Sequence, residues 1–341
     1  MKVKNFTFKE IHNTSLNKYL RNYTKNNGMV YNYLCSSFFI DGSGFLPIEK
    51  NTLSTSLDLF TFLHKKKFDI YFSNKHYELL KNNTENIKVF KNSFIIGNDE
   101  NYFHNLIYFL PRIIFLLDND QLLSKIDYLI FNEDLPKYFM TLLDEILKFK
   151  KINKKLILIK KSTYLFENSY CPTILGRGEK IEQNVKFWEF IIKNIPNLSK
   201  SKKSFHEKIY ISRKDSTHRK ILNEIELITL LKKLNFQIIT LSGMNMFDQI
   251  NLFKRAKVII GYHGAGFANL VFSSPKTKVI EIHPHPEVDF RNVIKVISDI
   301  KKLEHKFFFV DYKSNIDKSN NMTYFDGIVD ISRFKNFLKN Y

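Results

Sequence analysis

At 341 residues, with 44% hydrophobic content and 33 phenylalanines, the chain can bury one large core or two of ordinary size, which excludes a disordered protein. Two cysteines, Cys35 and Cys171, cannot build a disulfide framework and fit a reducing compartment. The net charge of +19 reads as a solvated basic surface, or as one that meets a negatively charged membrane face or an anionic substrate. Nucleic acid is disfavoured, because Lys65–Lys67, Lys150–Lys155 and Lys200–Lys203 are scattered and no RNP motif, zinc-finger spacing or basic leucine zipper occurs.

The N-terminus, MKVKNFTFKEIHN, is basic and has no apolar centre, so no signal peptide is expected. The longest apolar run, 106–117, holds Pro111 and Arg112 and is too short to span a bilayer. The expectation is a cytoplasmic protein, free or peripheral at the inner membrane face. The first 60 residues carry few signals. KFDIYF (67–72) reads as a strand and IKVFKNSFIIG (87–97) as strand or hairpin. Residues 101–117 have helical periodicity with a proline that predicts a kink. Strand 126–131, helix 136–149, strand 155–159 and helix 181–194 follow.

A proline, serines and lysines at 195–208 mark a linker. Beyond it the chain alternates: strand 208–212, helix 221–234, strand 236–241, helix 246–256, strand 257–261, short helix 266–272, strand 278–282, helix 293–303 and strand 305–312. Short apolar strands separated by helices predict a parallel sheet covered on both faces, a Rossmann-like domain.

Within it, GYHGAGFANLVF (261–272) concentrates small residues between a strand and a helix, in a chain with only 11 glycines. Such turns build anion sites, because first-turn amides lack intrahelical acceptors and small residues admit a phosphate to the backbone. The spacing G-x-x-G-x-G reverses the dinucleotide fingerprint, and no GxxxxGK[ST] is present. HGAG is also similar to an esterase oxyanion loop, but no GxSxG elbow accompanies it. By spacing alone, a phosphate site and a structural turn both stay open.

KIYISRKDSTHRKILNEIELITLL followed by GYHGAGFANLVFSSPKTKVIEIHP resembles the family 61 glycosyltransferases, and NYFHNLIYFLPRIIFL resembles their N-terminal block. Arg213, Arg219, Asn223, Glu224, His263, Gly264, Ala265, Gly266, Asn269, Phe272 and Glu281 fall on the family's positions in order. The resemblance implies an α/β, GT-B-like architecture: two Rossmann-like domains with parallel sheets facing a central cleft. Residues 1–200 would bind the acceptor and 205–328 the nucleotide-sugar, and a last helix within 329–341 would cross back to the N-terminal domain. It further implies inversion at the sugar carbon without a metal or other cofactor.

In that reading Arg213, Arg219, His263, Gly264, Ala265, Gly266, Asn269 and Glu281 hold the donor, most simply a UDP-sugar. Glu281 would meet a ribose diol or pair with an arginine such as Arg213. His104 is the candidate catalytic base, with Tyr108 and Arg112 at i+4 and i+8 on the acceptor side. Family members often carry a carboxylate where Tyr108 stands. The acceptor implied is a glycan or lipid-linked glycan of microbial capsule or lipopolysaccharide assembly. A non-catalytic nucleotide- or polyanion-binding protein that kept the fold is the alternative. The DND triplet, Asp118 to Asp120, reads as the solvated end of a helix and not as a metal site.

Overall fold

The computed structural model describes residues 88–98, 101–117, 119–133, 135–160, 181–199, 201, 203–284, 292–317 and 322–339, a few side chains among these excepted, and, by backbone only, strands between 7 and 53 and between 163 and 172. The expected strand at 67–72 and Asp118 of the DND triplet lie outside the described residues. The chain is α/β and divides into two compact units, Met1–Phe187 and Trp188–Tyr341. No described helix is long and apolar enough to cross a membrane.

In the first unit, β1 (Thr7–Phe8), β2 (Val30–Tyr33), β3 (Ser36–Asp41), β4 (Gly44–Glu49) and β5 (Thr52–Leu53) precede β6 (Lys88–Lys91) and β7 (Ser93–Ile95). Then come β8 (Tyr128–Asn132), β9 (Lys155–Ile159), β10 (Thr163–Glu167) and β11 (Ser169–Pro172). One sheet runs β1-β5-β4-β3-β10-β6 and the other β2-β11-β7-β8-β9. β2 and β3, β10 and β11, and β6 and β7 are close in the chain, yet the members of each pair lie in different sheets. The 87–97 stretch is therefore not a hairpin. It changes sheets at Asn92, whose φ of 50° is the left-handed region that asparagine tolerates. Asn92 is held there by the Asp127 amide donating to its carbonyl at 2.7 Å, and by its own Nδ2 donating to Asp127 Oδ2 at 2.9 Å. The unit thus combines parallel pairing, in β7-β8-β9, with antiparallel pairing in β3-β4-β5.

The helix Lys137–Phe149 buries Phe139, Leu142, Leu143, Ile146 and Leu147, one stripe at helical spacing. Residues 102–117 are less regular. A short α turn passes into a π turn over Asn105–Phe109, a 3-10 turn over Leu110–Ile113, and α again over Ile114–Leu117. Pro111 has no N–H, so the carbonyl four residues back, that of Ile107, loses its helical donor. Asn184 Nδ2 supplies the missing bond at 2.5 Å in the buried interior. The expected kink is thus a change of helical winding whose orphan acceptor is served from another helix.

In the second unit β12 (Lys208–Ile211), β13 (Gln237–Ile239), β14 (Val258–Tyr262) and β15 (Lys278–Pro284) are followed by β16 (Glu304–Asp317) and β17 (Met322–Ile328). They form one sheet in the order β13-β12-β14-β15-β16-β17, parallel except for the last pair. The hairpin β16–β17 was not foreseen: the expected strand 305–312 is longer and turns back on itself. One sheet face buries Tyr210, Ile260, Tyr262, Ile280, Ile282 and Phe308 in a core completed by Leu227 and Leu231 of the helix Glu224–Lys233 and Phe334 of the helix Ile331–Lys339. The last helix, expected to cross to the N-terminal domain, thus puts its one buried residue, Phe334, into its own unit's core.

The 195–208 stretch, read as a linker, is fastened to the helix Met246–Arg255. The carboxylate of Asp248 accepts from Ser201 Oγ at 2.5 Å and faces Lys203 Nζ at 2.6 Å. Replacement of Asn184 by alanine should leave the Ile107 carbonyl buried and unmet, lowering stability by about 1–3 kcal/mol. A urea-unfolding midpoint unchanged from the wild type would contradict this account of the Pro111 turn.

Candidate functional site

Arg213 follows β12 directly, at the carboxyl end of the parallel sheet, where open α/β sheets hold ligands. Its side chain folds back over its own loop. Nε donates to the Arg219 carbonyl at 2.8 Å, and Nη2 donates to Ser216 Oγ at 2.8 Å and to the His218 carbonyl at 3.0 Å. Nη1 faces Gly264: a Cβ there would stand 2.1 Å from Nη1 and 3.0 Å from Cζ. Gly264 has an extended backbone (φ 172°, ψ 174°) that any residue could adopt, so space alone demands glycine. What comes so close to the small-residue turn is therefore the protein's own guanidinium. Gly266 answers a second approach, since a Cβ at that position would stand 2.8 Å from Leu241 Cδ1.

The charge of Asp215 acts on this cation without forming an ion pair with it. Among the described residues Arg213 makes no ion pair with a carboxylate, and its acceptors are two carbonyls and a hydroxyl. Burial, and after it the charge of Arg219, pull its guanidinium below the usual range. Its backbone amide and the Tyr210 hydroxyl both donate to Glu224 Oε1, at 3.3 and 2.8 Å. The loop is also tied to the far end of the chain. Lys220 N donates to Asp326 Oδ1 at 2.8 Å, while Gly327 N donates to the Lys220 carbonyl at 2.7 Å and Leu222 N to the Gly327 carbonyl at 2.8 Å. Asn223, at the helix N-cap, makes no cap bond. Its amide instead clasps Val329, donating to the carbonyl at 2.8 Å and accepting from the amide at 3.0 Å. Arg219 sits at φ 56° with its guanidinium carbon 5.3 Å from the Tyr324 ring, on which His218 also stacks at 4.2 Å.

The turn after β14 becomes a 3-10 segment, Ala265–Phe272, in place of the expected short helix. In the run from Ile259 to Ser273 only Ala265 and Gly266 are half-exposed, and the rest are buried. The window onto this turn is therefore the two small residues next to the Arg213 guanidinium. Asn269, fully buried, donates to Gln249 Oε1 at 3.0 Å and to the Gly266 carbonyl at 3.1 Å. It fixes the turn to the helix Met246–Arg255.

Strand alternation puts Val279, Glu281 and His283 of β15 on the face opposite Ile280 and Ile282, and the register sets Val279 against His305 of β16. Glu281 is 0% exposed. Its partners are neither a ribose nor an arginine: Oε1 accepts from His263 Nδ1, and His305 Nε2 stands 3.0 Å from Oε2. The His305 contact is close but poorly aligned for a hydrogen bond. Behind it, His305 Nδ1 lies 2.7 Å from Ser298 Oγ. Burial alone would push the Glu281 carboxyl up, but the hydrogen bond from His263 and the electrostatic influence of both imidazoles outweigh it and bring it down to about 2. His263, Glu281 and His283, all buried, have one ligand atom each within 4.8 Å of one another, a set with metal-ligand chemistry. Both Glu281 oxygens already face imidazoles, so a metal would have to displace them.

In the first unit, His104 is half-exposed at the start of the 102–117 segment, and Asn101 Oδ1 accepts from the Phe103 and His104 amides at 2.9 and 3.3 Å. Its ring lies 5.8 Å from that of Tyr108, so these two meet as expected. Tyr108 is 5% and Arg112 2% exposed. Arg112 points inward, with Nη1 donating to the Ile96 carbonyl at 2.6 Å and its guanidinium 4.7 Å from the Phe109 ring. The change of helical winding separates it from the i, i+4, i+8 stripe. His305, His283 and Ser298 were missed: His283 was legible by strand alternation from Glu281, whereas His305 depends on the β15–β16 register.

A model of the Glycosyltransferase 61 family matches residues 102–280. That span includes His104, the Arg213 loop and the small-residue turn, and stops one residue before Glu281. The chain is also 51% identical over 39 residues to beta-1,2-xylosyltransferase RCN11 of Oryza sativa subsp. japonica, a stretch covering 11% of this chain and 7% of that relative's length.

Because the carboxyl of Glu281 lies at about 2 in the fold, against about 4.3 in an unfolded chain, its stabilising contribution is complete above the higher value. It is lost as pH falls from there toward 2. Urea midpoints measured between pH 5 and pH 2.5 should fall less steeply for Glu281→Gln than for the wild type; parallel slopes would refute the assignment.

Proposed function

We infer the function from kinship and geometry together: the chain belongs to the glycosyltransferase 61 family, whose model covers just over half of it, and we read it as an inverting glycosyltransferase that uses a nucleotide-sugar. The observation that carries this reading is the Arg213 guanidinium, unpaired with any described carboxylate and set beside the half-exposed Ala265–Gly266 turn. A partly buried cation with no carboxylate paired directly to it is costly, and a diphosphate is a fitting counter-charge.

In the reaction proposed, the acceptor hydroxyl attacks the anomeric carbon from the face opposite the leaving group. The bond from that carbon to the diphosphate breaks, the nucleoside diphosphate departs, and the hydroxyl proton passes to a base. Arg213, Arg219, the first amides of the 265–272 segment and His263 meet the charge that gathers on the leaving phosphate, where one such donor is commonly worth about 3–4 kcal/mol. No step of this scheme is assigned to a metal. His104, half-exposed and beside Tyr108, is the proposed base.

The donor we propose is a UDP-sugar and the acceptor a growing glycan of the capsular or lipopolysaccharide kind, on a cytoplasmic membrane face. The charge of +19 supports an anionic acceptor or surface. The arrangement of two domains of GT-B type belongs to the same proposal and is supported by the family assignment. A second reading, a nucleotide-binding protein without transferase activity, is favoured by one feature: Tyr108 stands where relatives often carry an acid, and it is buried. Slow hydrolysis of the donor sugar-nucleotide by the purified chain separates the two, since a binder gives none.

Thermal unfolding with uridine diphosphate at 100 times its Kd should gain about 2.7 kcal/mol. Arg213→Ala should abolish the gain. Gly264→Ala, which removes no ligand-binding group but drives a methyl into the guanidinium, should weaken affinity about tenfold, about 1.4 kcal/mol. A full uridine diphosphate shift in both variants would overturn the donor site.

A further inference from the structure

Neither burial nor a sugar contact accounts for the carboxylate of Glu281. It is ionised, acceptor-only, and sealed in the sheet, so it can touch no substrate. Facing it, Nδ1 of His263 must be the nitrogen that carries a proton, because an ionised carboxylate can only accept. The remaining nitrogen, Nε2, has no hydrogen-bond partner among the described residues. The His263 backbone and ring are both fixed by neighbours. The His263 amide donates to the Ile282 carbonyl at 2.9 Å, the His283 ring lies edge-on at 4.6 Å, and the neighbouring residue, Gly264, lies under Arg213.

We propose that Glu281, steadied from its far side by His305, is the positioning residue of this site: it locks His263 in the Nδ1–H tautomer and so offers Nε2, and only Nε2, to the donor's diphosphate. A free imidazole favours neither ring orientation strongly, and the hydrogen bond at one nitrogen decides the state of the other. With Nδ1–H engaged, the ring accepts or holds one further proton at Nε2. In its protonated form it donates Nε2–H to a phosphate oxygen. His305 keeps the carboxylate from turning away when its Nε2 carries a proton, an arrangement that Ser298 Oγ, 2.7 Å from His305 Nδ1, supports by donating to that nitrogen. The phosphate contact rests on the donor reading above; the tautomer does not.

The experiment is nitrogen-15 spectroscopy of the full chain labelled at histidine, at a pH where His263 is neutral. A pyrrole-type Nδ1 and a pyridine-type Nε2 are expected for His263, assigned by its loss in His263→Asn. In Glu281→Gln, whose amide can donate as well as accept, the two tautomers should mix, and uridine diphosphate should bind about tenfold more weakly, the cost of one charge-assisted bond. Should Glu281→Gln fail to fold, the wild-type spectrum alone decides, and His305→Gln gives the graded variant, expected to mix tautomers less. A protonated Nε2 with a bare Nδ1 in the neutral wild type would overturn the proposal. So would a tautomer unmoved by Glu281→Gln, or a zinc ion occupying His263 in the purified protein. An Nδ1–H tautomer whose Nε2 signal ignores saturating uridine diphosphate would uphold the positioning role and sink the donor reading instead.

Discussion

A guanidinium nitrogen pressed against a glycine is the constraint around which the second unit is arranged. Arg213 cannot occupy its place unless position 264 lacks a side chain, because a methyl carbon there would lie only 2.1 Å from Nη1. Two of its nitrogens are engaged with carbonyls and a hydroxyl of its own loop. The loop must therefore be closed before the charge points anywhere. Its closure depends in turn on Glu224, which accepts the Arg213 amide, and on Asn223, which ties the helix start to Val329. Small residues, a half-buried carboxylate and an asparagine clasp, each ordinary alone, here serve the placement of one positive charge.

The sheet carries a second such dependence. A carboxylate buried without partners would cost several kcal/mol and would take up a proton instead. Two imidazoles reverse that outcome for Glu281. The geometry is possible because β15 and β16 run parallel in a register that places His305 one step behind Glu281. The first unit solves a comparable problem differently. Pro111 removes a donor from the helix, the winding loosens around it, and Asn184 covers the exposed carbonyl. Both are answers to one rule, that a buried polar atom must be met.

Much of the second unit was legible in the amino-acid order. Alternating apolar runs such as KVIIG and KVIEI, with helices between, announce a parallel sheet, and the strands lie where those runs do. The family kinship was legible too, from residues such as Arg213, His263 and Gly264 in sequence. Contacts between distant segments were not. The pairing of Glu281 with His305 needs the register of two strands, and the role of Gly264 needs the path of the Arg213 side chain. The two-sheet arrangement of the first unit escaped because a change of sheet at Asn92 leaves no mark in hydrophobic periodicity beyond a single turn-tolerant residue. β17 escaped because MTYFDGI mixes polar and apolar residues as an edge strand does.

That edge strand has a bearing on how the protein is made. The Arg213 loop is laced to Asp326, Gly327 and Val329, more than a hundred positions later in the chain. Translation delivers residues in order, and earlier segments begin to fold before later ones leave the ribosome. The helix and strands that follow Arg213 can assemble on that schedule, but the ties from its loop to Asp326, Gly327 and Val329 wait until that hairpin emerges. The bracing that sets the Arg213 loop is thus completed only after residues 326–329 have been made.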